Sequence, residues 1–358
     1  MVLAYVVSMS QSDNVTVIDT KTHSVIATIP SINFPANTNI AITPDGKIAY
    51  VLILDNINNV SLVSVIDTKT HSVIATVQIG SNIGFVPQNV ISFTPDGKLA
   101  YATVSGGNIV SAIDVKTHSV IATVQAEMGP DDFVFTPDGK LAYVLNDFIP
   151  GSVSIIDTKT HSVIATVLVE NRPNSIEITP DGKLAYVMNR FSENVSVIDV
   201  KTHSVIATVV VGIAPIKVAF TPDGKLAYVV NSNPSGLGSV SAIDVKTHSV
   251  ITTIPLAGNE DTPSSIDITP NGKLAYVPTS NGNTVVVIDI KTHSVIATIQ
   301  VENNNSSQRF VSFTPDGKLA YVGNNIEGTV SVIDVKTHSV IATVDVGANP
   351  AAIAFTPN

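Results

Sequence analysis

Eight histidines are the first candidates for chemistry in this sequence. They stand at His23, His71, His118, His161, His203, His248, His293 and His338, each inside the phrase D-x-K-T-H-S-V-I. Imidazole can ligate a metal or move protons near neutral pH. Either use needs close partners. A zinc ion draws its ligands to about 2 Å, and a catalytic base needs a nucleophile within hydrogen-bond reach. The chain has no cysteine, which removes thiolate ligands and thiol nucleophiles. The other candidates are charged: Asp131, Asp132, Glu177, Lys217, Asp267 and Arg309 interrupt stretches otherwise rich in small and aliphatic residues. Such charges suit ligand binding or carboxylate acid–base chemistry. Glu127, Asp131 and Asp132 also offer oxygens for calcium, but no D-x-D-x-D-G loop accompanies them. Neither a metal site nor a cofactor is expected.

What positions these residues is a repeat. A second phrase, T-P-[DN]-G-K-[IL]-A-Y, occurs seven times, with tyrosines at Tyr50, Tyr101, Tyr143, Tyr186, Tyr228, Tyr276 and Tyr321. An eighth copy is split: the chain ends Phe355-Thr356-Pro357-Asn358 and begins Met1-Val2-Leu3-Ala4-Tyr5, in register with F-T-P-D-G-K-L-A-Y. The histidines recur every 42 to 48 residues, the spacing of a propeller blade of four strands. In the fifth repeat, 217–221 alternates as strand one and 226–230 reads as strand two. Residues 239–245 read as strand three and 250–254 as strand four. Val, Ile, Thr and Tyr fill these runs, as a pleated, half-buried surface requires. Pro, Asp and Gly supply the tight turn between strands one and two. The expected fold is all-β: one eight-bladed β-propeller domain, 1–358, with four antiparallel strands per blade. Its blades lie near 37–78, 88–125, 130–168, 173–210, 215–255, 263–300 and 308–345. The eighth joins 350–358 to 1–30, so one C-terminal and three N-terminal strands close the ring.

Blade geometry sorts the candidates. Turns one–two and three–four leave one end of each blade and are the repeated text. Connections two–three and four–one leave the other end and differ in every repeat, as at 31–38, 80–88 and 258–263. The repeated turns hold 15 of the 16 lysines and 14 of the 29 acids. The remaining bases are Arg172, Arg190, Lys217 and Arg309, so the variable segments carry a net charge of −11. Strand one lines the axis, and counting back from its Thr, the second and fourth residues face inward. Glu177 and Asp267 take the second place, and Asp132 and Lys217 take the fourth. Asp131 and Arg309 sit one residue earlier, at the channel mouth. Histidines in outer turns of such a ring lie roughly 15 Å from one another, given strands about 4.8 Å apart. They read as turn residues, the tyrosines as packing between blades with one hydroxyl partner each, and no catalytic residue is assigned.

The segments Ala142-Tyr-Val-Leu-Asn146, Ala227-Tyr-Val-Val-Asn231 and Ala320-Tyr-Val-Gly-Asn324 each precede a V-S-x-I-D strand. They resemble the YVTN family of β-propeller repeats, a resemblance that runs over essentially the whole chain. It implies kinship with surface-antigen proteins and with lactonase-type and streptogramin-lyase-like propellers. The near-identity of the repeats points to recent internal duplication or to design. Three functions stay open. The first is a non-catalytic scaffold binding a protein or small ligand through its acidic variable face and channel mouth. The second is a hydrolase or lyase with a carboxylate site at that mouth. The third is an amplified or designed scaffold without a selected ligand. A net charge of −10 argues against nucleic acid as a partner. No apolar run nears the 18 or so residues of a spanning helix, so membrane insertion is not expected. A monomer is expected. The start, Met1-Val2-Leu3-Ala4-Tyr5, lacks the basic and long apolar regions of a secretory signal. The resemblance implies a cell-surface or secreted protein if a leader was removed, and a cytoplasmic one otherwise.

Overall fold

The computed structural model describes residues 1–9, 14–30, 37–55, 58–81, 90–233, 236–256, 262–280, 282–301 and 308–358. The side chains of residues 37, 38, 105, 308 and 309 are outside that description, as is most of the variable loops 31–38, 80–88 and 258–263. The protein is an eight-bladed β-propeller built of four-stranded antiparallel sheets. Blade five is typical, with strands Pro215–Phe220, Leu226–Asn231, Ser239–Asp244 and Ser249–Pro255 in that spatial order. Strand one begins two residues before the alternation expected from sequence. In blade eight the C-terminal strand Pro350–Phe355 pairs with Leu3–Ser8, followed by Asn14–Asp19 and Ser24–Pro30.

Both repeated turns are wired by their own side chains. In blade five the Thr221 hydroxyl donates to Asp223 Oδ1 at 2.7 Å, and the Lys225 amide donates to the same oxygen at 3.1 Å. Gly224 supplies the positive φ, +68°, at no steric cost. At the other turn the Thr247 amide and hydroxyl donate to Asp244 Oδ1 at 2.7 and 2.9 Å. His248 follows with φ +54°, its amide donating to the Asp244 carbonyl at 2.9 Å. In blade five the Asp of each phrase thus caps its turn through its side chain.

Strands two and three are buried on both faces, which is why strand two reads as an apolar run, while strand three buries a serine, Ser241, among its apolar residues. The chain groups into two compact units. One comprises Met1–Asn146, Ser154–Thr166 and Val344–Asn358, the other Asp147–Val153 and Val167–Thr343. In each, the core lies between successive blades. In the first unit, Tyr50, Leu52 and Val65 of blade one pack on Ile91, Phe93 and Ala102 of blade two. In the second, Tyr228, Val230 and Ile254 of blade five pack on Ile266, Ala275 and Ile288 of blade six.

Candidate functional site

The histidines have partners, and the partners are the tyrosines. Tyr5 Oη lies 2.8 Å from His71 Nδ1, Tyr50 Oη 2.8 Å from His118 Nδ1, and Tyr101 Oη 2.7 Å from His161 Nδ1. In the second unit Tyr186 pairs with His248 at 3.4 Å, Tyr228 with His293 at 2.6 Å, and Tyr276 with His338 at 2.8 Å. Each pair joins strand two of one blade to the outer turn of the next. All eight tyrosines are fully buried, and burial holds the phenol of each of these six above its usual titration range. Burial also pushes the His118 imidazole down, against the pull of the Asp114 carboxylate. Sequence reading placed both residue types as structural but did not join them. The signal was present: a buried hydroxyl needs a partner, and each phrase occurs eight times.

A second contact repeats nearer strand one. The turn glycine of one blade lies against the turn proline of the blade before it: Gly46 on Pro357, Gly97 on Pro44 and Gly272 on Pro222. A Cβ at these glycines would stand 2.6 to 3.0 Å from the proline Cδ. Gly is therefore required twice over, for φ and for the close approach.

The charged residues of strand one are less uniform. Positions one and three are buried in blades three and four and positions two and four are more open, except that Ser175 is buried. A β-bulge recurs at the start of the strand, between Pro130 and Asp132, Pro173 and Ser175, and Pro215 and Lys217. Asp131 sits on one of these bulges and is buried; Asp132 is half-buried and accepts from the Phe133 amide at 2.9 Å. Both belong to the first unit. In the second, Glu177 is half-buried opposite Tyr186, and Lys217 is exposed opposite Val230. Arg309 lies on strand one of blade seven, and its side chain is outside the described residues.

Asp267 is the most informative of them. Its carboxylate accepts from the Ile268 amide at 2.8 Å and from the Phe313 amide, in strand one of the next blade, at 3.3 Å. Desolvation dominates and lifts its titration to about 6; the two amides and the positive charge of Lys217 oppose that rise. Lys217 and Asp267 are thus brought into electrostatic range. Strand one is the inner edge of its sheet, so its outward amides lack a strand to pair with. Side chains from neighbouring blades fill that role. Asn39 Oδ1 accepts from the Ile91 amide at 3.4 Å, and Asn174 Nδ2 donates to the Ile216 carbonyl at 2.9 Å.

Comparisons with known proteins bear on the same architecture. Residues 70–223 match the model of the YNCE-like β-propeller, and residues 206–345 that of the seven-bladed lactonase β-propeller. A search of curated proteins found no match. Among solved structures, hydrazine synthase of Kuenenia stuttgartiensis is 24% identical with a TM-score of 0.62, covering 73% of this chain and 87% of that one. The dihydro-heme d1 dehydrogenase NirN, in complex with DHE, is 16% identical with a TM-score of 0.79, covering 98% of this chain and 74% of that one. At these identities the two likenesses are of fold. Repeats and sheet order make this chain a β-propeller, and the two family models add a likeness to YNCE-like and lactonase propellers, each over less than half of its length.

Proposed function

We propose that the protein is a non-catalytic binding propeller whose variable loops, with the strand-one charges beside them, engage a protein or small ligand. The observation that carries this reading is the Tyr–His pairing between blades. It commits six histidines to holding the framework together. Chemical diversity among the repeats then lies in connections two–three and four–one and in strand one, a distribution that suits recognition on a rigid scaffold.

The test is a thermal-shift screen of the full chain against small carboxylates, amines, sugars and peptides. Confirmed binders are then titrated against Lys217→Met and His118→Asn. Binding that weakens in the first and persists in the second supports the reading. Lys217→Met also removes a positive charge that favours the ionised Asp267, so its melting temperature falls slightly at neutral pH, by the equivalent of ~0.5 kcal/mol or less for a solvent-screened charge. Unchanged melting together with unchanged binding would make Lys217 an ordinary solvated side chain.

A second reading has one observation in its favour. A carboxyl that titrates near 6, such as Asp267, suits general acid–base work, and residues 206–345, which include it, match the lactonase model. Lactone or ester hydrolysis lost in Asp267→Asn would establish a hydrolase instead.

A further inference from the structure

One repeated turn departs from the others in a way that carries chemistry. Of the seven complete T-P-[DN]-G-K turns, six hold Asp, and that of blade six holds Asn271 followed by Gly272. A side-chain amide followed by glycine is open to attack by its own backbone, because no side chain keeps the glycine nitrogen from the amide carbon. Asn271 is exposed to water. Its Oδ1 accepts from the Thr269 hydroxyl at 2.8 Å and from the Lys273 amide at 3.0 Å. Two donors on a carbonyl oxygen favour negative charge there, which is the charge that attack on the carbon creates.

The attacking nitrogen is engaged at rest. The Gly272 amide donates to the Thr269 carbonyl at 2.7 Å, so the turn opens before it reacts. Blade six holds this turn with little strand. Its strand one spans only Asp267–Ile268, against six residues in blades three, four, five and eight. Local opening is easier where fewer ladder bonds must break.

The six Asp turns show what a carboxylate meets at this place. In them Asp Oδ1 accepts from the Thr hydroxyl at 2.7 or 2.8 Å. It also accepts from the Lys amide at 3.1 or 3.2 Å. Asp Oδ2 lies 2.8 to 3.0 Å from the lysine Nζ. Lys273 makes no such ion pair among the described residues. An aspartate at position 271 would keep both Oδ1 bonds and give Lys273 an acid.

We propose that Asn271 is a deamidation site and that the turn around it selects aspartate over isoaspartate. Hydroxide removes the Gly272 amide proton, and the nitrogen attacks Asn271 Cγ. The new N–Cγ bond closes a succinimide ring, and Nδ2 leaves as ammonia, taking the proton it needs from water. Water then opens the ring. Addition at Cγ breaks the new bond and leaves aspartate. Addition at the Asn271 backbone carbonyl carbon breaks the original peptide bond and leaves isoaspartate, with an extra carbon in the main chain. Either way one water enters and one ammonia departs, with no oxidation or reduction. The extra carbon lengthens the turn and displaces the carboxylate, so isoaspartate loses the contacts that aspartate keeps.

The experiment ages the purified full chain at mildly alkaline pH, in buffer and in concentrated urea. Tryptic mapping separates the Asn, Asp and isoAsp forms at position 271, and isoaspartyl methyltransferase labels the isoAsp form alone. Asn281-Gly282, the other such pair in the chain, falls in a different tryptic peptide because Lys273 lies between the two. In urea, where the turn is lost, isoaspartate is the expected main product. In buffer Asn271 converts as well, and aspartate exceeds isoaspartate at least threefold. The variant Asn271→Asp, made directly, melts no lower than wild type. An Asn271 that stays intact in buffer overturns the site, whatever happens in urea. An excess of isoaspartate in buffer overturns selection by the turn, as does a lower melting temperature for Asn271→Asp.

Discussion

A tyrosine hydroxyl near an imidazole can be a clasp or the beginning of a proton relay, and the second hydrogen bond of the hydroxyl decides which. Tyr5 Oη donates to the Thr68 carbonyl at 3.0 Å, and Tyr228 Oη to the Ile290 carbonyl at 3.2 Å. With the phenolic proton so placed, the imidazole Nδ1–H is the donor to the tyrosine oxygen. Protonation at Nε2 then leaves the bond intact, so the clasp holds in acid. A double-mutant cycle on Tyr50→Phe and His118→Asn is expected to give a coupling of ~1 kcal/mol in chemical denaturation. A coupling near zero would reduce the pair to packing. The acid limit of stability comes instead from the turn carboxylates. Their threonine and lysine partners hold Asp45, Asp138 and Asp223 down at about 2. A carboxyl whose folded pKa is lowered stabilises the fold above its unfolded value, near 3.8. That contribution disappears as pH falls towards 2. Melting temperature is therefore expected to drop between pH 4 and pH 2. Asn271 already stands at the turn position of blade six, where its Oδ1 accepts from Thr269 and the Lys273 amide. Converting Asp45, Asp138 and Asp223 to Asn in one chain should flatten the acid limb, and an unchanged slope would place the acid sensitivity elsewhere.

The blade manages its two edges in different ways. Its inner edge, strand one, is capped by neighbouring side chains. Its outer edge, strand four, carries S-V-I-A-T in seven repeats and S-V-I-T-T in one, with no charge, the kind of segment that pairs with other chains. The register shows the defence. In blade two Ala112 faces Ala122 and Ile113 faces Val120, so Ile121 is an extra residue; in blade four Ile206 is skipped in the same way. These bulged isoleucines stand 48% and 49% exposed. A bulge twists an edge strand away from further pairing. Deleting Ile121 removes the bulge, slips Ser119 and Val120 to opposite faces, and is expected to produce self-association on size-exclusion chromatography. A chain that stays monomeric after the deletion would take that protective role from the bulge. Elements of this kind were only partly legible in the sequence. Strand identity followed from the alternation in 217–221 and the apolar run 226–230, and turn chemistry from P-D-G-K, because each depends on local residues. The bulge at Ile121 and the clasp from Tyr50 to His118 depend on register and on the neighbouring blade, which periodicity does not encode. The strand-one charges were legible as unusual. That the first partners of Asp267 are two backbone amides was not, since an edge amide has no residue letter.

At the scale of the whole molecule, eight repeats form a propeller because one of them is made from both ends of the chain. The C-terminal strand is held there by three kinds of bond. Its ladder sets Tyr5 opposite Ala354 and Val6 opposite Ile353. Beyond the ladder, the Leu3 amide donates to Thr356 Oγ1 at 2.8 Å, and the Thr356 amide donates to the Leu3 carbonyl at 2.9 Å. Pro357 then seats Gly46 of blade one, so closely that a Cβ there would come within 2.6 Å of its ring. Removing 351–358 would strip the fully buried strand Leu3–Ser8 of its inner partner and expose both its unpaired backbone and its apolar side chains. A buried backbone group left without a partner costs about 1–3 kcal/mol, and several are lost together, a sum comparable with the 5–15 kcal/mol that stabilises an ordinary domain. The truncated chain is therefore expected to aggregate or to melt far below the full-length protein, and the peptide 351–358 added in excess should partly restore it by taking the vacant place in the sheet. Rescue by that peptide, with none from a scrambled one, separates loss of closure from a general defect in folding. A soluble monomer with unchanged melting would mean that the terminal strand decorates a fold already complete without it.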